Sequence, residues 1–510
     1  MYLKSENMRN FKYIIAVGLA VPMLSSCDMD LTPSTAISYE EGKRLFISEN
    51  DITAFDNGLH SSFRSLFYGK NSQSEEVMFD AFNAVADFGN NYGPEHRCDQ
   101  TFNASNSDIE SIWQGHYSAI KNYNIAIANA DNVSDELKSA ARILKGNAYF
   151  YRAVSYLYLV RHFAKAYDPA TASTELAVPL VTVYNQLEKP ARATIEAVYA
   201  QIKTDLDAAY AILQNTKGSV RAQHPTVDAV NFVYARYYLD TKNYTLAAAK
   251  AESVINSSAG YALASSEEEM TDEYIYDRGT EPVMQMYVSK SEGCVYNTVY
   301  TTIRNDRNEG NYFTSKFIPS QVLIDSYGKG DLRFQTWFTD SKYPTQVSGT
   351  FHKGQFYTFV KYFDNPDLRD GTIESGAHAC KPFMISEMYL IAAEAYAQNG
   401  NSNSRTMLNV LQTRRGASAT DGSLANVKRE WFRETVGEGL RMSCLKRWGD
   451  GVQARTAQLG AVSANVLMTG STYAERALSA SDYHFSWPIP TYDIKVNKNL
   501  VQNSGYADEK

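Results

Sequence analysis

The chain is poor in the residues that usually betray a reactive or metal-bound centre. Only 5 of its 510 residues are cysteine, and none forms a Cys-x-x-Cys pair, which excludes the common zinc and thioredoxin-like motifs. Two His-x-Cys pairs, His96/Cys98 and His378/Cys380, are too far apart in sequence to be read as one metal site. Asp364, Asp367 and Asp370-Gly371 offer carboxylates for a calcium loop, but their spacing fails the EF-hand pattern, so no metal or other cofactor is expected. There is no Gly-x-Ser-x-Gly elbow, no phosphate-cradling glycine loop and no His-Glu-x-x-His. Carboxylate pairs among 57 acidic residues are too plentiful to single out a glycosidase dyad, so an enzyme is not expected. A net charge of -8 disfavours nucleic acid as a partner. After the N-terminus, no apolar run is long enough to cross a bilayer.

What is present begins with an address. Arg9 and Lys12 precede an apolar run from Tyr13 to Leu24, followed at once by Leu24-Ser25-Ser26-Cys27. This resembles a bacterial lipobox, with residues 1–26 as the signal peptide, Met8 as the more usual start, and Cys27 as the lipid carrier. Asp28 and Asp30 resemble the acidic export signal of some Bacteroidetes surface lipoproteins. Residues 27–38, rich in Pro, Ser and Thr, read as a tether, and the body starts near Tyr39 as one domain, 39–510. Four cysteines then remain, Cys98, Cys294, Cys380 and Cys444, with no pairing assigned.

The body is organised around helical hairpins. From Val227 to Asn256, small or apolar residues recur about a helical turn apart (Ala229, Val233, Ala235, Tyr238), a Lys-Asn-Tyr turn follows, and Ala247, Ala248, Ala251 and Val254 mark a second helix. Alanines on facing positions let two backbones approach closely, while Tyr234, Tyr237 and Tyr244 fill the wedges. The pattern resembles a tetratricopeptide repeat. A second hairpin is expected over Met384 to Arg415, turning at Asn399-Gly400-Asn401, and Ser139 to Lys165 with Thr194 to Asn215 supplies two more long helices. The expected helical regions are therefore mainly 109–256 and 384–450.

Between and beyond them the chain is irregular, mainly over 71–106, 259–381 and 451–510. Asn71 to Asn106 reads as a long exposed loop carrying Phe79, Phe82, Phe88 and Tyr92. Val283 to Val288 and Phe356 to Tyr362 read as strands, Glu267 to Glu269 as a solvated acidic face, and Trp113 as core. The 36 tyrosines suit helix wedges and wet binding surfaces equally.

Three stretches are specific enough to carry a family resemblance: Ala140 to Phe163, Lys428 to Asp450, and His484 to Tyr506 with its Trp487-Pro488-Ile489-Pro490. In their order and distances they resemble the SusD/RagB family of outer-membrane nutrient-binding lipoproteins. Glu430, Glu434, Glu438, Gly439, Arg441, Leu445, Arg447 and Trp448 stand where the family pattern expects them, while Trp431, Thr435 and Cys444 depart from it. Read physically, these carboxylates and guanidinia stitch a surface helix to its neighbour, and the Trp-Pro-Ile-Pro run is an extended clamp, because each proline disfavours helix before it.

The resemblance implies a mainly α protein, in which a tetratricopeptide-like helix-pair scaffold (an α-α superhelix) supports a loop-rich ligand-binding half with short strands. It implies a lipid-anchored, outward-facing binder of an oligosaccharide, partnered by a SusC-like TonB-dependent β-barrel transporter. A peptide-binding member of the same family and a helical-repeat protein-binding scaffold are the alternatives. It also implies that the ligand sits in the irregular half. There, aromatics stand beside amides, carboxylates and arginine, the groups that cover the C–H face of a sugar and meet its hydroxyls. Asp80, Asn83 and Tyr92 from one stretch, and Tyr296, Arg304, Asn308, Tyr312 and Trp337 from another, are the candidates to line one shallow site for a neutral oligosaccharide.

Overall fold

The computed structural model describes residues 44–292, 295–296, 299–369, 371–470, 473 and 476–507. The lipobox, the tether, Cys294 and Asp370 lie outside the described residues. The chain divides into two units, Met1–Leu45 and Phe46–Lys510, and the helices and strands that follow belong to the second.

Helix α1 (Glu49–Ser65) begins at a capping box in which Ser48 and Asp51 satisfy each other's backbone amides. Then come α2 (Lys70–Met78), β1 (Phe82–Ala84), the short α3 (Gly93–Arg97), and the long α4 (Ser107–Asn129) and α5 (Lys138–Phe163). Strands β2 (Leu176–Pro179) and β3 (Arg192–Thr194) pair antiparallel and lead into α6 (Ile195–Leu213), capped by Thr194. The expected hairpin over 227–256 is α7 (Val227–Asp240) and α8 (Tyr244–Ile255), capped by Thr226 and Asn243. Small side chains allow this stack. At Gly146 of α5 a Cβ would meet the Ile212 Cγ2 of α6 at 2.6 Å, so the missing side chain makes room for the Ile212 side chain between the two helices.

The irregular insertion follows. It holds α9 (Glu267–Tyr274), β4 (Pro282–Met284), β5 (Val295–Tyr296), β6 (Thr302–Asp306), β7 (Gly310–Thr314), β8 (Phe317–Pro319), α10 (Gln321–Asp325) and α11 (Leu332–Trp337). It continues through β9 (Phe338–Thr339), β10 (Thr345–Val347), β11 (Thr350–His352), β12 (Thr358–Phe359), β13 (Ala377–His378) and β14 (Phe383–Met384). The chain leaves on β4 and returns on β14, and these two pair antiparallel, as do β5 and β13, so the root of the insertion is a two-stranded stem. Beyond it lies a four-stranded sheet in the order β11-β10-β7-β6. The expected strands are shorter than their alternating stretches, Pro282–Met284 and Thr358–Phe359, because each finds a partner over only a few residues.

The stem delivers the chain back to the scaffold. Helix α12 (Ile385–Gln398) packs on α8 and α7, and then on α13 (Asn403–Arg414) and α14 (Leu424–Glu434), so the helical stack resumes in space where it stopped in sequence. Ala235, Ala247, Ala251, Ala392, Ala393 and Ala395 are fully buried along this seam. Buried ion pairs fasten the same helices: Arg152–Asp205 joins α5 to α6 at 2.6 Å and Arg236–Glu387 joins α7 to α12 at 2.6 Å. Arg447 of α15 (Arg441–Trp448) reaches Glu394 of α12 at 2.7 Å.

Two expectations are corrected. Residues 70–78 are a buried helix rather than an exposed loop, and Phe79, Phe82 and Phe88 are core residues. The two buried carboxylates of α2 are met by distant groups: Glu75 takes the imidazole of His162 at 2.7 Å, and Glu76 takes the amides of Gly437 and Gly439 at 2.9 and 3.1 Å. Likewise the Lys428 to Asp450 segment is not a surface stitch. Glu430 and Glu434 are fully buried, and they share Arg333, which also holds Asp331. Arg415 in turn bridges Glu434 and Glu281, each at 2.6 Å. Burial raises the Glu434 carboxyl, but the two guanidinia win and hold it far below the ordinary carboxylate range. This network ties the insertion, through Glu281 and Arg333, to the last helices of the scaffold.

The expected clamp at the C-terminus is extended. The Trp487 amide donates to the His162 carbonyl at 2.8 Å, Gln502 bonds both the amide and the carbonyl of Ile489, and the Trp487 ring is fully buried.

Candidate ligand-binding site

Strand β1 is the floor of the candidate site. It pairs antiparallel with β8 over Phe82 to Ala84, with Asn83 opposite Ile318. Phe82 and Phe88 pack downward into a core with Phe317, Ile318 and Phe359. The segment that follows helix α16 (Leu459–Ser463) then lies along the free side of β1. The Ala86 amide donates to the Val466 carbonyl at 2.8 Å, and the Met468 amide to the Ala84 carbonyl at 3.0 Å. Between them opens a cavity of about 260 Å³ whose wall includes Asn83, Val462, Asn465, Leu467, Thr469 and Tyr473.

Three features of this cavity bear on binding. The Asn83 Oδ1 is buried and meets no partner, which is costly unless something supplies a donor. The Tyr473 ring is held in place: Arg97 donates to its hydroxyl at 2.9 Å and lies over the ring at 5.7 Å, while Phe88 meets it edge-on at 5.8 Å. Arg97 is itself fixed by Asp99, Asn90 and Thr101, so the tyrosine is a rigid plate. Left-handed backbone also occurs here, at Asn465 on the wall and at Asn90, which holds Arg97. Strain of this kind is retained where surrounding contacts enforce a particular surface shape.

Besides the β1–β8 pairing, the insertion joins this face through Asp87. Asp87 accepts from the amide and hydroxyl of Ser348, in the turn between β10 and β11, and its carbonyl accepts from Lys316 at 3.0 Å. On the sheet reached this way, Arg304 of β6 stands opposite Tyr312 of β7, and Tyr312 meets Phe351 edge-on at 5.1 Å. Asn308 is exposed in the β6–β7 turn, its amide bonded to Asp306.

The other candidate residues have different surroundings. Trp337 is fully buried, with Lys361 over its ring at 4.0 Å and Tyr274 edge-on at 5.1 Å, so it is core and not a platform. Asp80 is fully buried and paired with Arg441 at 3.0 and 2.7 Å. Tyr92 is half-buried, and its hydroxyl donates to Gln73 at 3.2 Å. The backbone of Tyr296 pairs with Ala377, while its side chain is outside what is described. Sequence reading missed Tyr473, Asn465, Asp87 and Arg97. The Thr-Gly-Ser-Thr-Tyr run ending at Tyr473 carried the same aromatic-in-polar signal as the stretches chosen, but nothing local announces that it lies beside β1.

Among the described residues no group of three or more His, Cys, Asp or Glu side chains is arranged to hold a metal ion. The imidazole of His96 faces the Val77 carbonyl and Arg455, and that of His378 faces the Gly376 carbonyl and stacks on Tyr362. Cys98, Cys380 and Cys444 are free, buried thiols. Asp364 accepts from Arg369 and Ser375.

The fold is a helical-repeat scaffold joined to an irregular half, and the cavity beside β1 lies in that half. The chain belongs to the SusD family, whose model matches residues 229–506. A related model, described as starch-binding and associating with the outer membrane, matches residues 40–239. The chain is 30% identical over 135 residues to the starch-binding protein SusD of Bacteroides thetaiotaomicron, a match spanning 24% of this chain and only 21% of that protein. It shares its fold with a SusD superfamily protein of the same organism (TM-score 0.73, 21% identity, 90% of this chain and 100% of that one). A putative sugar-binding protein of Bacteroides vulgatus (TM-score 0.70, 21% identity, 91% and 99%) and a laminarin-binding SusD-like protein (TM-score 0.68, 19% identity, 90% and 100%) are similar to it too.

Proposed function

We propose that this protein is a lipid-anchored binder at the outer membrane that captures a neutral oligosaccharide and passes it, chemically unchanged, to a SusC-like TonB-dependent transporter. The observation that carries the reading is the cavity beside β1, where the unpartnered Asn83 Oδ1 lies beside the fixed Tyr473 ring. A sugar hydroxyl satisfies the amide, the ring covers a C–H face, and Asn465 and Thr469 meet further hydroxyls from the exposed rim. At about 260 Å³ the cavity suits a ring or two of a chain whose remainder runs over the surface, with Arg304, Asn308 and Tyr312 as an outer flank. Family membership and the starch- and laminarin-binding relatives support a glycan as the ligand class.

Calorimetry against starch and β-glucan oligosaccharides tests the site. Asn83→Ala and Tyr473→Ala are each expected to weaken binding by about tenfold or more, on the order of 1–3 kcal/mol, in a protein that still melts normally. Unchanged affinity in both folded variants overturns the site, and saturable binding of peptides but not glycans moves the function to the peptide branch. Co-purification with the barrel transporter tests the delivery step.

A further inference from the structure

A second cleft lies between the scaffold and the insertion and shares no wall residue with the cavity beside β1. Its walls come from the α1–α2 junction, α5, α7, the β13–β14 connection and the segment between α14 and α15. It encloses about 130 Å³, and its half-exposed rim is formed by Gly69, Ser72 and Gly437 to Leu440. At Gly439 the backbone comes so near Ser72 that a Cβ would meet its Cα at 2.9 Å, which keeps the entrance narrow.

The wall chemistry narrows the occupant. The charged side chains on the wall already have opposite partners, Arg161 with Asp240, Arg236 with Glu387, Lys381 with Asp277 and Glu438 with Lys361, and the His162 imidazole is hydrogen-bonded to Glu75. No charge is left over for a charged ligand. Leu66, Phe67, Val154, Leu157, Val295 and Leu440 make much of the remaining surface apolar. Two wall residues are exceptions. Asn71 and Tyr300 are 8% and 3% exposed, and the Asn71 Oδ1 and the Tyr300 hydroxyl are buried with no partner. The Asn71 amide nitrogen donates to the Ser65 and Tyr68 carbonyls, which turns the oxygen away from them. Tyr300 is held by stacking on Phe82 at 4.5 Å and edge-on by Phe359 at 5.2 Å.

We propose that this cleft is a binding site for one small neutral ring bearing a hydroxyl, a ligand of the phenol class. The volume is close to that of apolar cavities of about 150 Å³ that take up benzene. The ring fills the apolar part, and the hydroxyl supplies the donor and acceptor that Asn71 and Tyr300 lack. A pyranose does not fit this description, since its hydroxyls beyond the one that meets Asn71 and Tyr300 would face apolar side chains or groups already paired, and each left unmet costs about 1–3 kcal/mol. The cleft is thus chemically separate from the oligosaccharide face at Asn83.

The probes are phenol and toluene, titrated by calorimetry and ligand-observed NMR against the full chain. Phenol is expected to saturate one site. Tyr300→Phe is expected to weaken phenol about five- to tenfold, leave toluene unchanged, and leave the melting temperature of the free protein equal or higher, because the deleted hydroxyl had no partner. Leu157→Phe, which fills the cleft, is expected to reduce both ligands in a protein whose circular dichroism and melting are retained. Absence of saturable phenol binding, a Tyr300→Phe protein with unchanged phenol affinity, or phenol binding lost in Asn83→Ala but not in Tyr300→Phe overturns the proposal.

Discussion

Glu95 shows how a single buried side chain couples the candidate face to solution conditions. One carboxylate oxygen accepts from Asn106 at 2.9 Å and the other has no partner. Burial, the largest influence, pushes its pKa up to about 7 from 4.5, against the opposing bonds. Between about pH 4.5 and 7 the folded protein therefore keeps a proton that the unfolded chain has released. By linkage, stability falls as pH rises through that window, and the loss is complete above the folded pKa. Glu95→Gln preserves the shape without the charge. Its melting temperature should match the parent near pH 4 and exceed it at pH 8, with a difference on the order of 3 kcal/mol. Parallel pH profiles for the two proteins would show that Glu95 is ionised throughout. Arg333 and Arg415 are the contrasting case: against the cost of burial their guanidinia hold Glu434 ionised, Arg333 with Arg433 does the same for Glu430, and removing one member of such a buried network typically costs about 3–5 kcal/mol.

At the scale of elements, the alanine seam decides whether the stack forms. Ala235 of α7 and Ala393 of α12 are both fully buried at helix crossings. An arginine at either place overfills the crossing and buries an unpaired charge, so Ala235→Arg and Ala393→Arg should each destabilise by ~3 kcal/mol or more. Thermal melting with retained melting temperatures in both would remove these helices from the load of the fold. The stem of β4 with β14 acts differently, since its short pairing makes little surface but fixes where the insertion re-enters. That position is what lets α12 land on α8. The segment 464–468 plays the same part at the candidate site, where one backbone bond to Ala84 of β1 and one to Ala86 just after it shape the cavity.

For the whole molecule, the proposed anchor is separable from the body. Cys27→Ala should abolish lipidation and release the protein from the outer membrane with its melting temperature unchanged, because a Pro-, Ser- and Thr-rich tether lies between the cysteine and the folded unit. Fractionation and fatty-acid labelling check this, and a mutant that remains lipidated removes the lipobox. The hairpins over 227–256 and 384–415, their turns, and the core placement of Trp113 were legible in the sequence, since helical periodicity and caps act within a few residues. The burial of α2 was not legible, because its polar residues look solvated until His162, Gly437 and Gly439 arrive from 85 or more positions away to satisfy them. Trp337 stands among the site candidates for the same reason, as only the folded chain brings Lys361 over its ring and Tyr274 edge-on against it. The sequence by itself determined the helix pairs, the irregular insertion and the family, all of which rest on local pattern and motif. Which polar groups are buried, and that Tyr473 stands beside Asn83, was decided only by the tertiary structure, because pairing across long separations depends on how the insertion closes onto the scaffold.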